Sequence, residues 1–234
     1  MMVRTLRWFA LAAVVSGPAS AGCRLALALG IDVSRSISLA DYEIQRSGLL
    51  AALADPAVRE AFLNPAEPVA FAMFEWSGPG SQTMVTDWTK VRGPQDLVAI
   101  VDRIAAHQRG TERQTTALGE ALAFAQGVME AAPPDCETRV LDMSGDGRNN
   151  EGRSPALVYA ELDFGAITVN GLAIGQHESG LVAYFQNELI RGPGAFVEVA
   201  PRQVDFPETI RRKLLRELTE RVMGQTAPGI VPQG

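Results

Sequence analysis

Apolar and polar positions along the chain alternate between short, wholly buried runs and amphipathic stretches. Leu25–Gly30 (LALALG) is apolar or small at every position, which suits a strand buried on both faces of a parallel sheet. Val69–Trp76 (VAFAMFEW), Arg139–Met143, Ala166–Ile174 and Ala195–Val199 read as further strands. Helical periodicity lies between them. Ser38 is placed to cap a helix carrying Leu39, Tyr42, Ile44, Leu49, Leu50 and Leu53 on one stripe. Pro56 opens a short helix to Leu63, and Pro94 opens one to about His107 with Leu97, Val98, Val101 and Ile104 inward. Further helices are expected over 117–130, from Ser154-Pro155 to Leu162, over 179–188 and over 207–223. Thr83–Trp88, after the turn-like Ser77-Gly78-Pro79-Gly80-Ser81, fits an antiparallel edge strand. Strands alternating with helices predict an α/β fold: a doubly wound, mostly parallel sheet with helices on both faces. No repeat or linker divides it.

The two ends of the chain depart from this pattern. Arg4 and Arg7 precede an apolar stretch, Trp8–Val15, and the small residues Ala19-Ser20-Ala21, so residues 1–21 read as a secretory signal peptide. Residues 22–223 form the domain, and the Gly- and Pro-rich 224–234 read as a disordered tail. The mature protein is then periplasmic or secreted, with no transmembrane segment. Ser20-Ala21-Gly22-Cys23 is similar to the end of a bacterial lipobox, which offers Cys23 as a lipid anchor. The favoured use of Cys23 is a disulfide with Cys136. Cys23 lies nine residues before Asp32 and Cys136 ten before Asp146, so both fall on one sheet edge if their strands are parallel neighbours. Such a bridge would contribute about 4–5 kcal/mol in the chain-entropy model.

Chemistry gathers where the strands end. After the first strand, Asp32, Ser34 and Ser36 alternate along an extended loop, so one carboxylate and two hydroxyls share a side. In an open α/β sheet the crevice beyond the carboxyl ends of the strands is where ligands bind. This hard-oxygen set suits Mg²⁺ better than zinc or copper. Thr115-Thr116 precedes a helix, and Asp146 follows a strand in Ser144-Gly145-Asp146-Gly147.

Together these pieces carry a resemblance. Asp32-Val33-Ser34-Arg35-Ser36 matches the D-x-S-x-S motif of the von Willebrand factor type A (vWA) domain. Thr116-Ala117-Leu118-Gly119-Glu120-Ala121-Leu122 resembles that family's threonine loop and helix, and Ser144-Gly145-Asp146-Gly147 its strand-end aspartate. The resemblance spans about residues 23–223. It implies a Rossmann-like fold with strands 1 and 4 adjacent. It also implies a metal-ion-dependent adhesion site (MIDAS) of Asp32, Ser34, Ser36, Thr116 and Asp146, with Thr115 or Gln114 in the threonine's place if the loop is matched differently. The implied ion is Mg²⁺, with Mn²⁺ or Ca²⁺ as alternatives. The implied role is a non-enzymatic module whose metal takes a carboxylate from a protein partner. More narrowly, the Cys, D-x-S-x-S, S-G-D-G-x-N-N layout resembles exported bacterial vWA-like proteins of unassigned function.

Charge and missing motifs narrow the alternatives. The formal net charge is −6 and becomes −8 once Arg4 and Arg7 leave with the leader; no Lys/Arg run stands out, which argues against nucleic acid. An aspartyl phosphohydrolase would place a carboxylate two residues after Asp32, where Ser34 stands, and a lysine opposite; the only lysines are Lys90 and Lys213. G-x-S-x-G and G-x-G-x-x-G are both missing from the required places. The remaining rivals are a Mg²⁺-dependent hydrolase or phosphatase-like enzyme and a metal-free structural vWA-like scaffold. Asp142, inside a strand, reads as a satisfied buried carboxylate or a support behind the ligands. Asn149 and Asn150 read as turn residues or rim. His107 and His177 share no zinc spacing and are taken as surface or structural residues. Trp76 and Trp88 are expected in packing, and Arg211-Arg212-Lys213 with Arg216 on a solvated helix face.

Overall fold

Large and small residues alternate along the first strand, and this sets the layers. The computed structural model describes residues 22–64, 67–110, 114–175 and 179–223; the expected leader, the tail and His177 lie outside them. Strand β1 (Cys23–Asp32) is buried at every position. Leu25, Leu27, Leu29 and Ile31 enter one apolar core, while Ala28 enters the core on the opposite face. Small residues on that second face let neighbours approach closely. A Cβ at Gly30 would lie 2.6 Å from the Phe74 ring and 2.7 Å from Met143 Sδ.

Among the described residues one sheet forms, in the order β3-β2-β1-β4-β5-β6. Its other strands are β2 (Val69–Trp76), β3 (Gln82–Val91), β4 (Cys136–Gly145), β5 (Ile167–Ile174) and β6 (Val197–Ala200). All neighbours run parallel except β2 and β3, so the antiparallel strand lies at one edge. Helices α1 (Leu39–Ala54), α2 (Pro56–Leu63), α3 (Pro94–Ala106) and α7 (Phe206–Met223) supply the core that holds Leu25 and Leu27. Helices α4 (Leu118–Glu130), α5 (Pro155–Glu161) and α6 (Leu181–Tyr184) cover the other face. This is the doubly wound, mostly parallel vWA-like architecture.

Caps fall where the short polar residues stand. Ser38 Oγ accepts from Asp41 N, Asp55 Oδ1 accepts from Ala57 N and Val58 N, and Ser154 Oγ accepts from Leu157 N. At the carboxyl-distal edge, Cys23 and Cys136 are register partners and form the disulfide.

Two expectations fail on side-chain placement, one for apolar residues and one for a lysine. Leu39 is 76% exposed because it is the first residue of α1, and Val98 is 48% exposed because α3 turns its neighbours Leu97, Ile100 and Ile104 inward and leaves Val98 off that face. The short helix expected over 179–188 is present over 181–189, as a single α-turn that widens into a π-helical turn over Phe185–Leu189. Lys213 is not on a solvated face: it is 1% exposed, and α7 presents it to Asp142 of β4.

Candidate metal centre

β1 and β4 are parallel neighbours, with Ile31 opposite Ser144. Their carboxyl ends therefore deliver Asp32 and Asp146 to the same crevice. The turn after β1 brings Ser34 and Ser36, and the segment before α4 brings Thr116. A chain of hydrogen bonds joins the set: Thr116 Oγ1 donates to Ser34 Oγ (3.2 Å), Ser34 and Ser36 share one at 3.1 Å, and Ser36 Oγ donates to Asp146 Oδ1 at 2.6 Å. Asp32 Oδ1 accepts from Ser34 N at 2.7 Å. The structure thus brings all five residues together. Thr115 turns elsewhere and donates to Glu151, and the Gln114 carbonyl accepts from Arg35 N.

Backbone anchors hold these loops. Val33 N donates to Trp76 O, Ala117 N to Ser77 O and Asn150 N to Thr116 O. Asn150 Oδ1 accepts from Thr116 N and Asn149 Oδ1 from Gly119 N, both at 3.0 Å. The two asparagines therefore fix the threonine loop from the β4 side, a role that a turn-like N-N pair does not announce. Gly119 is required there: a Cβ would lie 2.0 Å from Arg153 O. On the opposite side, Arg109 donates to Val33 O and, at 3.0 Å, to Ser34 O, and its guanidinium lies 5.4 Å from the Tyr42 ring centre. Tyr42 donates to buried Glu75, which also bonds His107 Nε2 at 3.0 Å. His107, read as surface or structural, is thus engaged with a buried carboxylate. Trp76 is fully buried, and Trp88 Nε1 donates to Val128 O.

Burial governs the electrostatics. Asp32 is fully buried, and loss of water, reinforced by the charge of Asp146, pushes its carboxyl up to about 7 against the pull of Ser34 and of the Asp146 backbone N–H. Its Oδ2 has no hydrogen-bond partner among the described residues. It lies beneath Gly145, where a Cβ would come within 3.1 Å of it. Among the described residues no three His, Cys, Asp or Glu side chains cluster as a metal cage. The donor set is two carboxylates and three hydroxyls, which is the chemistry of a hard divalent cation with room for water or a further ligand. Above it opens a cleft of about 1020 Å³ whose walls include Arg35, Gln114, Arg148 and Asn149.

The comparisons with known proteins agree with this geometry at the level of fold. The family model described as "Protein of unknown function (DUF1194)" matches residues 22–222. No curated protein matches the sequence. A von Willebrand factor type A structure from Catenulispora acidiphila is 17% identical with a TM-score of 0.59, over 84% of this chain and 43% of its own. Proximal thread matrix protein 1 from the mussel byssus, in a crystal with a zinc-occupied MIDAS motif, is 16% identical with a TM-score of 0.58, over 84% of this chain and 46% of its own. The pilus adhesin SpaC from Lactobacillus rhamnosus GG is 12% identical with a TM-score of 0.57, over 84% and 30%. The chain spans less than half the length of each of these structures. With its vWA-like fold and a match over nearly all the described residues, the chain belongs to the family described as Protein of unknown function (DUF1194).

Proposed function

We propose that this protein is an exported, non-enzymatic binding module that holds a protein partner through a divalent cation, with Mg²⁺ the favoured ion. The observation that carries the reading is Asp32 Oδ2. A carboxylate oxygen buried without a partner is costly, and the residue that carries it is tied through its other oxygen to Ser34, the first of four further oxygen side chains linked by hydrogen bonds across three loops. Asp32, Ser34, Ser36, Thr116 and Asp146 would hold the ion. The ion, when bound, supplies an electropositive position open to an incoming carboxylate.

The chain's own residues do the rest. Ser34 and Ser36 are set by the turn that Arg109 clamps, and Thr116 by Asn150. Arg35 and Arg148 on the cleft wall favour an acidic partner segment by local charge, although the whole protein is anionic. Binding rather than turnover is favoured because both lysines are engaged elsewhere. Lys90 pairs with Asp135 at 2.7 Å, and Lys213 with Asp142 at 2.5 Å. Among the described residues no helix is long and apolar enough to cross a membrane. A zinc-occupied MIDAS in the mussel protein and the adhesin role of SpaC are in keeping with this reading.

Titration calorimetry of the mature, oxidised protein with Mg²⁺ and Mn²⁺ tests it, beside Asp32→Ala and Asp146→Ala. Saturable binding lost in both variants is the expected result. A folded wild type that takes up neither ion, alone or with an acidic peptide present, would turn the reading toward a metal-free scaffold.

A further inference from the structure

A second cluster of charged groups lies on the α7 side of the sheet, apart from the metal loops. Lys213 Nζ is 2.5 Å from Asp142 Oδ1 and 3.3 Å from Glu217 Oε1. Glu217 is held by Asn170 Nδ2 of β5, and the ring centre of Phe196 lies 4.4 Å from Nζ. Lys213, Asp142, Glu217 and Asn170 are all at most 4% exposed. Asp142 Oδ2 has no hydrogen-bond partner among the described residues. One cation therefore faces two carboxylates in a dry site, an arrangement whose desolvation its own attraction offsets poorly.

We propose that Lys213 and Asp142 form an intramolecular isopeptide bond, with Glu217 as the proton carrier. The juxtaposed amine and carboxyl supply both reactants, and neither an oxidant nor a co-reactant is needed. Moving one proton from the Lys213 ammonium to the Asp142 carboxylate gives a neutral amine and a carboxylic acid. Nζ then attacks Cγ of Asp142. The N–C bond forms, one C–O bond breaks, and the oxygen departs as water. The Glu217 carboxylate accepts a proton from Nζ and returns it to the departing hydroxyl, so it ends as it began. The product is a neutral secondary amide in place of two buried charges.

Three features favour the step. Two groups already in contact react with effective molarities of about 10⁵–10⁸ M when well aligned. The dry surroundings favour the neutral pair over the ion pair. Burial and the charge of Glu217 push the Asp142 carboxyl up to about 7, so the acid form is within reach. The bond would staple α7 to β4 four residues before Asp146.

The test is the mass of the full chain, purified from an exporting host, reduced and denatured. The wild type is expected one water lighter than its processed sequence. Trypsin is expected to release a branched peptide joining Val140–Arg148 to Lys213–Arg216, uncut after Lys213. Lys213→Arg and Glu217→Gln are expected at the full masses of their own sequences; the first keeps a cation beside Asp142, and the second keeps the Glu217 side-chain shape. A wild type at full mass, with Val140–Arg148 and Leu214–Arg216 recovered as separate linear peptides, would overturn the bond and leave an ion pair. Glu217→Gln carrying the branched peptide at wild-type yield would overturn the role given to Glu217.

Discussion

Asp32 illustrates a conflict between binding and stability at a single side chain. Its fully buried carboxylate has one oxygen held by Ser34 N and one without a partner. Asp32→Asn keeps the first contact and removes the charge. It is therefore expected to abolish Mg²⁺ binding while raising the melting temperature of the metal-free protein, because a buried charge is removed, read by melting in chelator beside calorimetry. Thr116 and Thr115 separate by the same logic. Thr116 Oγ1 lies in the oxygen cluster, and Thr115 Oγ1 is committed to Glu151. Thr116→Val is expected to weaken the ion by about tenfold or more and Thr115→Val by less than about threefold, on the scale where tenfold is about 1.4 kcal/mol. Equal losses in calorimetric titrations would move the ligand assignment.

Between elements, the loops are aligned by groups whose partners are distant in sequence. Arg109 sits 75 residues from the Ser34 carbonyl it clamps. Arg109→Ala is expected to lower metal affinity by about 10–100-fold, as losses of groups supporting metal ligands do, with little change in melting temperature. Glu120 on α4 accepts from Arg153 N, Nε and Nη2, and this holds the loop after β4 against the threonine helix. The guanidinium contacts pull the Glu120 carboxyl down to about 2. A depressed carboxyl contributes stability above its unfolded value of about 4.5 and loses it as pH falls toward 2. The stability gap between wild type and Glu120→Gln is thus expected to be about 1 kcal/mol at pH 7, Arg153 being a third exposed, and to close between about pH 4.5 and 2 in denaturant titrations.

The same contrast explains what could be read from sequence. Asp32, Ser34 and Ser36 stand together in one motif, and Asp146 follows a short run that suits a buried strand. Their convergence follows from strand polarity and adjacency alone. Arg109, Asn149 and Asn150 have no such local signature, since an arginine or asparagine in a loop looks alike whether it clamps a carbonyl or faces water. Lys213 was hidden for the opposite reason. It stands in a basic run whose neighbours Arg211 and Arg212 do reach the surface, and only the tertiary position of Asp142 and Asn170 shows that α7 turns this one residue inward.

At the scale of the molecule, β1 and β4 are joined at both ends. The Cys23–Cys136 disulfide closes one end across 113 residues of sequence, and the oxygen cluster gathers the other. Cys23→Ser with Cys136→Ser is expected to lower stability by about 4–5 kcal/mol in the chain-entropy model, measured by denaturant midpoint against the oxidised protein. The disulfide also decides where force travels. A pull applied at Gly22 enters the sheet at the first residue of β1. Without the sulfur bridge that strand could be unzipped from its neighbours one hydrogen-bonded pair at a time. With it, the load passes directly into the central strand β4, and the parallel ladder between them is loaded in shear rather than peeled. A module anchored from that side and gripping a partner at the opposite end of the same two strands would carry tension along its stiffest axis.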